Sequence, residues 1–95
     1  MERNLILVEE YCTNCSVETS FIDSLEELGL IEVIEMESQR FIDDAFVPDL
    51  EKFTAWHYDL DISPAGIDTI HELLQRMESM QHEIDDLKRR LRFFD

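Results

Sequence analysis

Cys12 and Cys15, three residues apart, are the first side chains in this sequence whose type and spacing could do chemistry. A Cys-x-x-Cys pair serves zinc when a second pair, or two histidines at ligand spacing, completes the tetrahedron. It serves thiol–disulfide exchange when it opens a helix within a βαβ unit. Neither setting is present. The chain has two cysteines only, and its three histidines, His57, His71 and His82, are scattered. Val8, Tyr11 and Cys12 fall at i, i+3 and i+4, and Cys15 continues that face. The pair therefore reads as small core thiols.

The adjacent acids Asp43-Asp44 and Asp85-Asp86 fare no better as acid/base machinery. Neighbouring residues do not share a helix face, and no phosphate-cradling glycine motif accompanies them. Helix capping accounts for the first pair and a solvated helix face for the second. His71 and His82 lie on a long helix outside its apolar seam and read as solvated, while Trp56-His57-Tyr58 reads as core and cap. No catalytic residue, metal site or cofactor is expected, and the chain is read as a binding protein, not an enzyme.

Charge is the stronger signal. Over residues 1–75 there are 18 Asp and Glu against three basic residues, Arg3, Arg40 and Lys52, whereas residues 76–95 are balanced. The whole net charge of −15 thus sits on the N-terminal body. Such a body repels nucleic acid and anionic membrane and attracts basic partners. The opening apolar run is too short for a secretory h-region. No stretch approaches the roughly 18–20 apolar residues of a membrane span, so the expected location is the cytoplasm.

The elements that carry this charge follow from periodicity and punctuation. Residues 4–8 read as a strand and Val8 to Cys15 as a short helix. Ser16 is placed to cap a second helix whose apolar stripe is Phe21, Ile22, Leu25 and Leu28, stopped by Gly29. Apolar residues alternating with Glu from Ile31 to Met36, the break at residues 37–39 and "RFI" predict a small β-hairpin. Asp43 or Asp44 caps a third helix that runs to about Tyr58, with Pro48 near its first turn and Phe46, Leu50, Phe53 and Trp56 on its buried side. Ser63 followed by Pro64 starts the last helix.

That helix carries a heptad seam. Ile70, Leu73, Met77, Met80, Ile84, Leu87, Leu91 and Phe94 are spaced alternately by three and four, which is the pattern of a coiled coil. About 30 helical residues span roughly 45 Å, more than so small a body can cover, so the seam predicts a homodimer. The chain divides accordingly into a body, residues 1–62, and a C-terminal dimerisation helix, residues 63–95.

The stretches "VEEYCTNCSVETSFIDSLEELGLIE" and "FIDDAFVPDLEKF" resemble MerR-like regulators. The implied fold is mostly α, a winged helix-turn-helix with a small β-hairpin and a long C-terminal coiled-coil helix. The order of "VEEYC", "ELGLIE", "FIDD", "LDISPAGID" and "LKRRLRFF" is similar to that of CbpM-type chaperone modulators, over about Leu5 to Phe94. That resemblance implies a partner: the J-domain of a DnaJ-like co-chaperone, whose basic helix docks on an Hsp70-type chaperone. The acids Glu9, Glu10, Glu18, Asp23, Glu26 and Glu27 on the helix-turn-helix are the candidate contacts. The alternatives are a MerR-family DNA-binding transcriptional regulator and a purely structural oligomerisation module. The absence of Lys and Arg from residues 18–32 weighs against the first.

Overall fold

The structure, a computed structural model, describes residues 4–92. In chain order it comprises β1 (Leu5–Leu7), α1 (Val8–Cys15), α2 (Thr19–Glu27), β2 (Val33–Met36), β3 (Gln39–Asp43), a 3₁₀ turn (Asp44–Phe46), α3 (Val47–Tyr58) and α4 (Pro64–Arg92). This is the mostly helical, winged arrangement expected from the sequence.

The turn between α1 and α2 is closed differently from the expectation. Ser16 does not cap α2. It ends α1 in the left-handed conformation, φ 54°, and the next amide, that of Val17, donates to the Cys12 carbonyl at 2.9 Å. Short polar residues tolerate this conformation better than most. Glu18 takes the N-cap position of α2 without a side-chain capping bond. Because α1 ends in this way, Cys15 turns outward and is exposed while Cys12 is buried, so only one of the two cysteines is a core thiol.

α2 buries Phe21, Ile22 and Leu25. The fourth residue of the expected stripe, Leu28, is 39% exposed, because the helix ends at Glu27 and the chain turns away. Gly29, at φ 75°, does stop it. Its amide donates to the Glu26 carbonyl, and the Leu30 amide to the Leu25 carbonyl, each at 3.0 Å. This is the paired closure of a Schellman motif, and it returns Leu30 and Ile31 to the core.

The hairpin is larger than two strands. β3 is central, with β2 and β1 antiparallel on either side. Leu5 pairs with Asp43, and Val33 with Ile42. The wing tip is a two-residue turn, Glu37 and Ser38, both at positive φ, the geometry that matches the twist of antiparallel strands. Asp43 accepts a hydrogen bond from the Ala45 amide at 3.0 Å and so caps the 3₁₀ turn that leads into α3, where Pro48 sits in the first turn.

The core comprises thirteen side chains, among them Val8, Ile22, Leu25, Ile31, Ile42, Leu50, Phe53 and Ile67. Among the described residues no polar or charged residue is buried with them. Phe46, Trp56 and Ile62 pack against this set at its margin. α4 starts as predicted, the Gly66 amide donating to Ser63 Oγ at 3.1 Å. It contributes Ile67 alone to the core and then leaves the body. His71 is half-buried and not solvated, since it meets the Phe53 ring edge-on at 5.2 Å. His82 is exposed. Along the seam Ile70 is half-buried, and Leu73, Met77, Met80, Ile84, Leu87 and Leu91 are 46% to 64% exposed. Phe94 lies outside the described residues.

Two substitutions separate packing from backbone geometry. Ile22→Ala removes a fully buried side chain and should lower stability by about 2–5 kcal/mol. Gly29→Ala meets no atom within 4 Å, so its effect is the left-handed backbone term alone, about 1–2 kcal/mol. Urea unfolding of both variants against wild type checks this ordering; a Gly29→Ala loss equal to that of Ile22→Ala would contradict it.

Candidate functional site

The helix-turn-helix presents α1 and α2 to solvent with their acids outward. Glu9 and Glu10 occupy the first turn of α1 and are exposed. Glu18 precedes α2, and its backbone amide donates to the Tyr58 hydroxyl at 2.9 Å, tying the start of α2 to the end of α3. Glu9 and Glu18 line the same shallow cleft between α1 and α2, with Cys12 and Val17.

The C-terminal half of α2 is different. Asp23 and Glu26, one turn apart, both face Arg40 on β3. The guanidinium lies 2.5 Å from Asp23 Oδ1 and 3.6 Å from Glu26 Oε1. Arg40 is the single Lys or Arg among residues 4–43, so the wing's one cation is already engaged by α2. A groove-reading helix-turn-helix needs cations on α2 and the wing to neutralise phosphates. Here α2 has none and the wing tip is Glu37-Ser38. Glu27 is exposed and completes the set. The six predicted acids therefore fall into two groups. Asp23 and Glu26 are held by Arg40, and Glu9, Glu10, Glu18 and Glu27 stand in solvent without a salt bridge among the described residues.

An aromatic cluster fixes the other side of the body. Phe21 stacks on His57 at 4.4 Å and meets Tyr58 edge-on at 5.6 Å. His57 Nδ1 donates to the Ile62 carbonyl at 2.7 Å, and because a carbonyl can only accept, this contact sets the tautomer. The bond clamps the link between α3 and α4. Lys52, the other cation of the described body, sits over the Trp56 ring at 5.4 Å and 3.8 Å from Asp49.

Burial pushes the Cys12 thiol above its ordinary value, which disfavours the reactive thiolate. Burial likewise raises the Tyr11 hydroxyl. No three His, Cys, Asp or Glu side chains among the described residues converge as metal ligands. Among the same residues no helix is long and apolar enough to cross a membrane.

The fold and this surface define a winged helix-turn-helix protein, and comparison with known families agrees. The chain matches the family described as MerR HTH family regulatory protein over residues 6–89. That is most of its length, and the chain belongs to this family. No significant match is found among curated proteins or among solved structures.

Arg40 carries a testable consequence. Its side chain is one-third exposed, so the bridge is screened and contributes about 1 kcal/mol or less. Arg40→Gln should lower stability by no more than that and should release Asp23 and Glu26. Thermal unfolding at low and high salt checks it, with the difference from wild type shrinking as salt rises.

Proposed function

We propose that this member of the MerR-like family binds protein and not DNA, and that it restrains a DnaJ-like co-chaperone by occupying the basic helix of its J-domain. One observation carries the reading: the outward surface of α1 and α2 offers exposed acids, and the one cation beside it, Arg40, is consumed by Asp23 and Glu26. A surface of that sign raises the association rate of a basic partner and opposes a polyanion. The resemblance to CbpM-type modulators supplies the identity of the basic partner. In this reading the chain is not an enzyme and needs no cofactor. Occupying the basic helix keeps it from the Hsp70-type chaperone and lowers its stimulation.

The experiment is calorimetry with the J-domain of a DnaJ-like protein from the same cell, at two salt concentrations. Binding that weakens with salt is expected. Because Asp23 and Glu26 hold Arg40, the informative charge reversal is on the solvated acids, Glu10→Lys, Glu18→Lys and Glu27→Lys together. Each exposed charge contributes at most about 1 kcal/mol, so single reversals should be mild and the triple should weaken binding by ten- to a hundredfold. Failure of any J-domain to bind, or sub-micromolar binding of duplex DNA at low salt, would remove this reading in favour of the DNA-binding regulator or the bare oligomerisation module.

The exposed seam of α4 supports a homodimer. Fully burying a Leu, Ile, Met or Phe side chain contributes roughly 1.5–3 kcal/mol, and six of the described seam residues are about half exposed or more. Charge favours antiparallel pairing. Parallel helices would set two acidic bodies side by side and put both clusters of Lys88, Arg89, Arg90 and Arg92 together. Antiparallel helices carry each basic end toward the other chain's acidic body. Wild type should sediment at twice 11.3 kDa, and Ile84→Glu with Leu87→Glu at the single-chain mass. A monomeric wild type at tens of micromolar would refute it.

A further inference from the structure

A second surface of the body goes unused by folding. The outer faces of α1 and α3 leave a groove of about 390 Å³ between them, open to solvent. Tyr11 and Cys15 line it from α1, and Thr54, Ala55 and Tyr58 from α3. The hydroxyls of Tyr11, Thr54 and Tyr58 are engaged within the chain. The single Thr54 hydroxyl proton goes to the Leu50 carbonyl at 2.7 Å, so Tyr11 is the donor in its 3.4 Å contact with Thr54 Oγ1. The Tyr58 hydroxyl accepts from the Glu18 amide. What the groove presents outward, besides its acids, is ring surface, a methyl, a thiol and the Ser16 side chain. Tyr58 is 42% exposed, and Leu60, two residues beyond, is 63% exposed.

The charged residues lining this groove are Glu51 and Asp59, and no Lys or Arg lines it. They sit eight residues apart on or next to α3, about 12 Å along the axis, the rise of roughly two helical turns. Side chains at i and i+7 or i+8 of a second helix lying alongside α3 have the same separation. An apolar stripe on such a helix anchors at i, i+3 or i+4, and i+7. Ala55 is the smallest residue in the groove and lies between the two acids in sequence.

We propose that the α1–α3 groove docks a basic amphipathic helix of a protein partner, its apolar side chains on Ala55 and Tyr58 over the buried Tyr11 and its cations on Glu51 and Asp59. The proposal rests on the co-chaperone reading only in that a J-domain would supply such a helix. It adds to the acidic contact of α1 and α2 an apolar anchor on the flank formed by α1 and α3. The anchors set the dissociation rate, and the two rim acids set association and its salt dependence.

Cys15 supplies the measurement, because it is exposed within the groove while Cys12 is buried. The probe is a synthetic helical peptide with leucines on one face and lysines flanking them at i and i+7. At saturation it should slow alkylation of Cys15 by about tenfold or more. Ala55→Arg, at an exposed helical position, should abolish that protection by filling the groove and repelling the probe. Glu51→Lys with Asp59→Lys should weaken binding about tenfold and flatten its salt dependence. Glu32→Lys with Glu35→Lys, outside the groove, should leave both unchanged. No binding of the peptide, or binding that leaves Cys15 unprotected, overturns the proposal, as does protection that survives both groove variants. The J-domain is run in parallel. A J-domain that binds without protecting Cys15 leaves the co-chaperone reading standing and sinks the groove. A protecting peptide with no J-domain binding does the reverse.

Discussion

Thirteen mainly apolar side chains among the described residues hold the body together, and every other feature is placed by what they leave free. They come from α1, the turn after it, α2, the segment after Gly29, β3, α3 and the first turn of α4. No single element has enough apolar surface to be stable alone, which is the general condition of a domain this small. The wing and α4 are consequences. β1 and β2 contribute no fully buried residue and are held through β3, which contributes Ile42. α4 is held through Ile67. With no charged side chain buried among the described residues, the charge of the body lies outside, where water or an ion-pair partner meets it.

Electrostatics on that exterior is uneven. Arg40 crosses from β3 to α2 and binds two acids one turn apart, so the wing and α2 are joined by charge as well as by the chain. Arg40, one-third exposed, thus meets the acids of α2 and not open solvent alone. The flank formed by α1 and α3 has acids at its rim and aromatic rings at its centre, so it combines long-range attraction with area to bury. The two flanks of the same helix-turn-helix thus differ: on one, Asp23 and Glu26 pair with Arg40 beside solvated acids, and on the other Glu51 and Asp59 border a mainly apolar groove.

Much of the fold was legible in the residues. Ser63-Pro64 and Gly29 are start and stop signals that act locally, and the structure uses both as read. The heptad spacing is likewise a property of one helix, and its residues from Leu73 to Leu91 lie exposed. Features that depend on two elements meeting were not legible. Serine suits the N-cap of the following helix, yet Ser16 ends α1 instead, where the Val17 amide closes on the Cys12 carbonyl. Leu28 fits the stripe of α2 by spacing, yet the helix stops before the stripe does. Its position outside the seam makes His71 read as solvated, yet α3 brings Phe53 beside it. The candidate acids could be picked out by composition, whereas the reach of Arg40 across to Asp23 and Glu26, and the groove between α1 and α3, exist only once the elements are assembled.

The slender attachment of α4 has a mechanical consequence. A helix of 29 residues, about 43 Å long, is seated by Ile67, the edge contact of His71 with Phe53 and the His57 clamp at its base. It is a lever with a short fulcrum. A tilt of about 10° at that seat displaces the far end by roughly 7 Å over that length. The packing of a few side chains around Phe53 therefore governs the spacing and angle of anything mounted at the tip, much as the pivot of a pair of callipers sets the gap between its points.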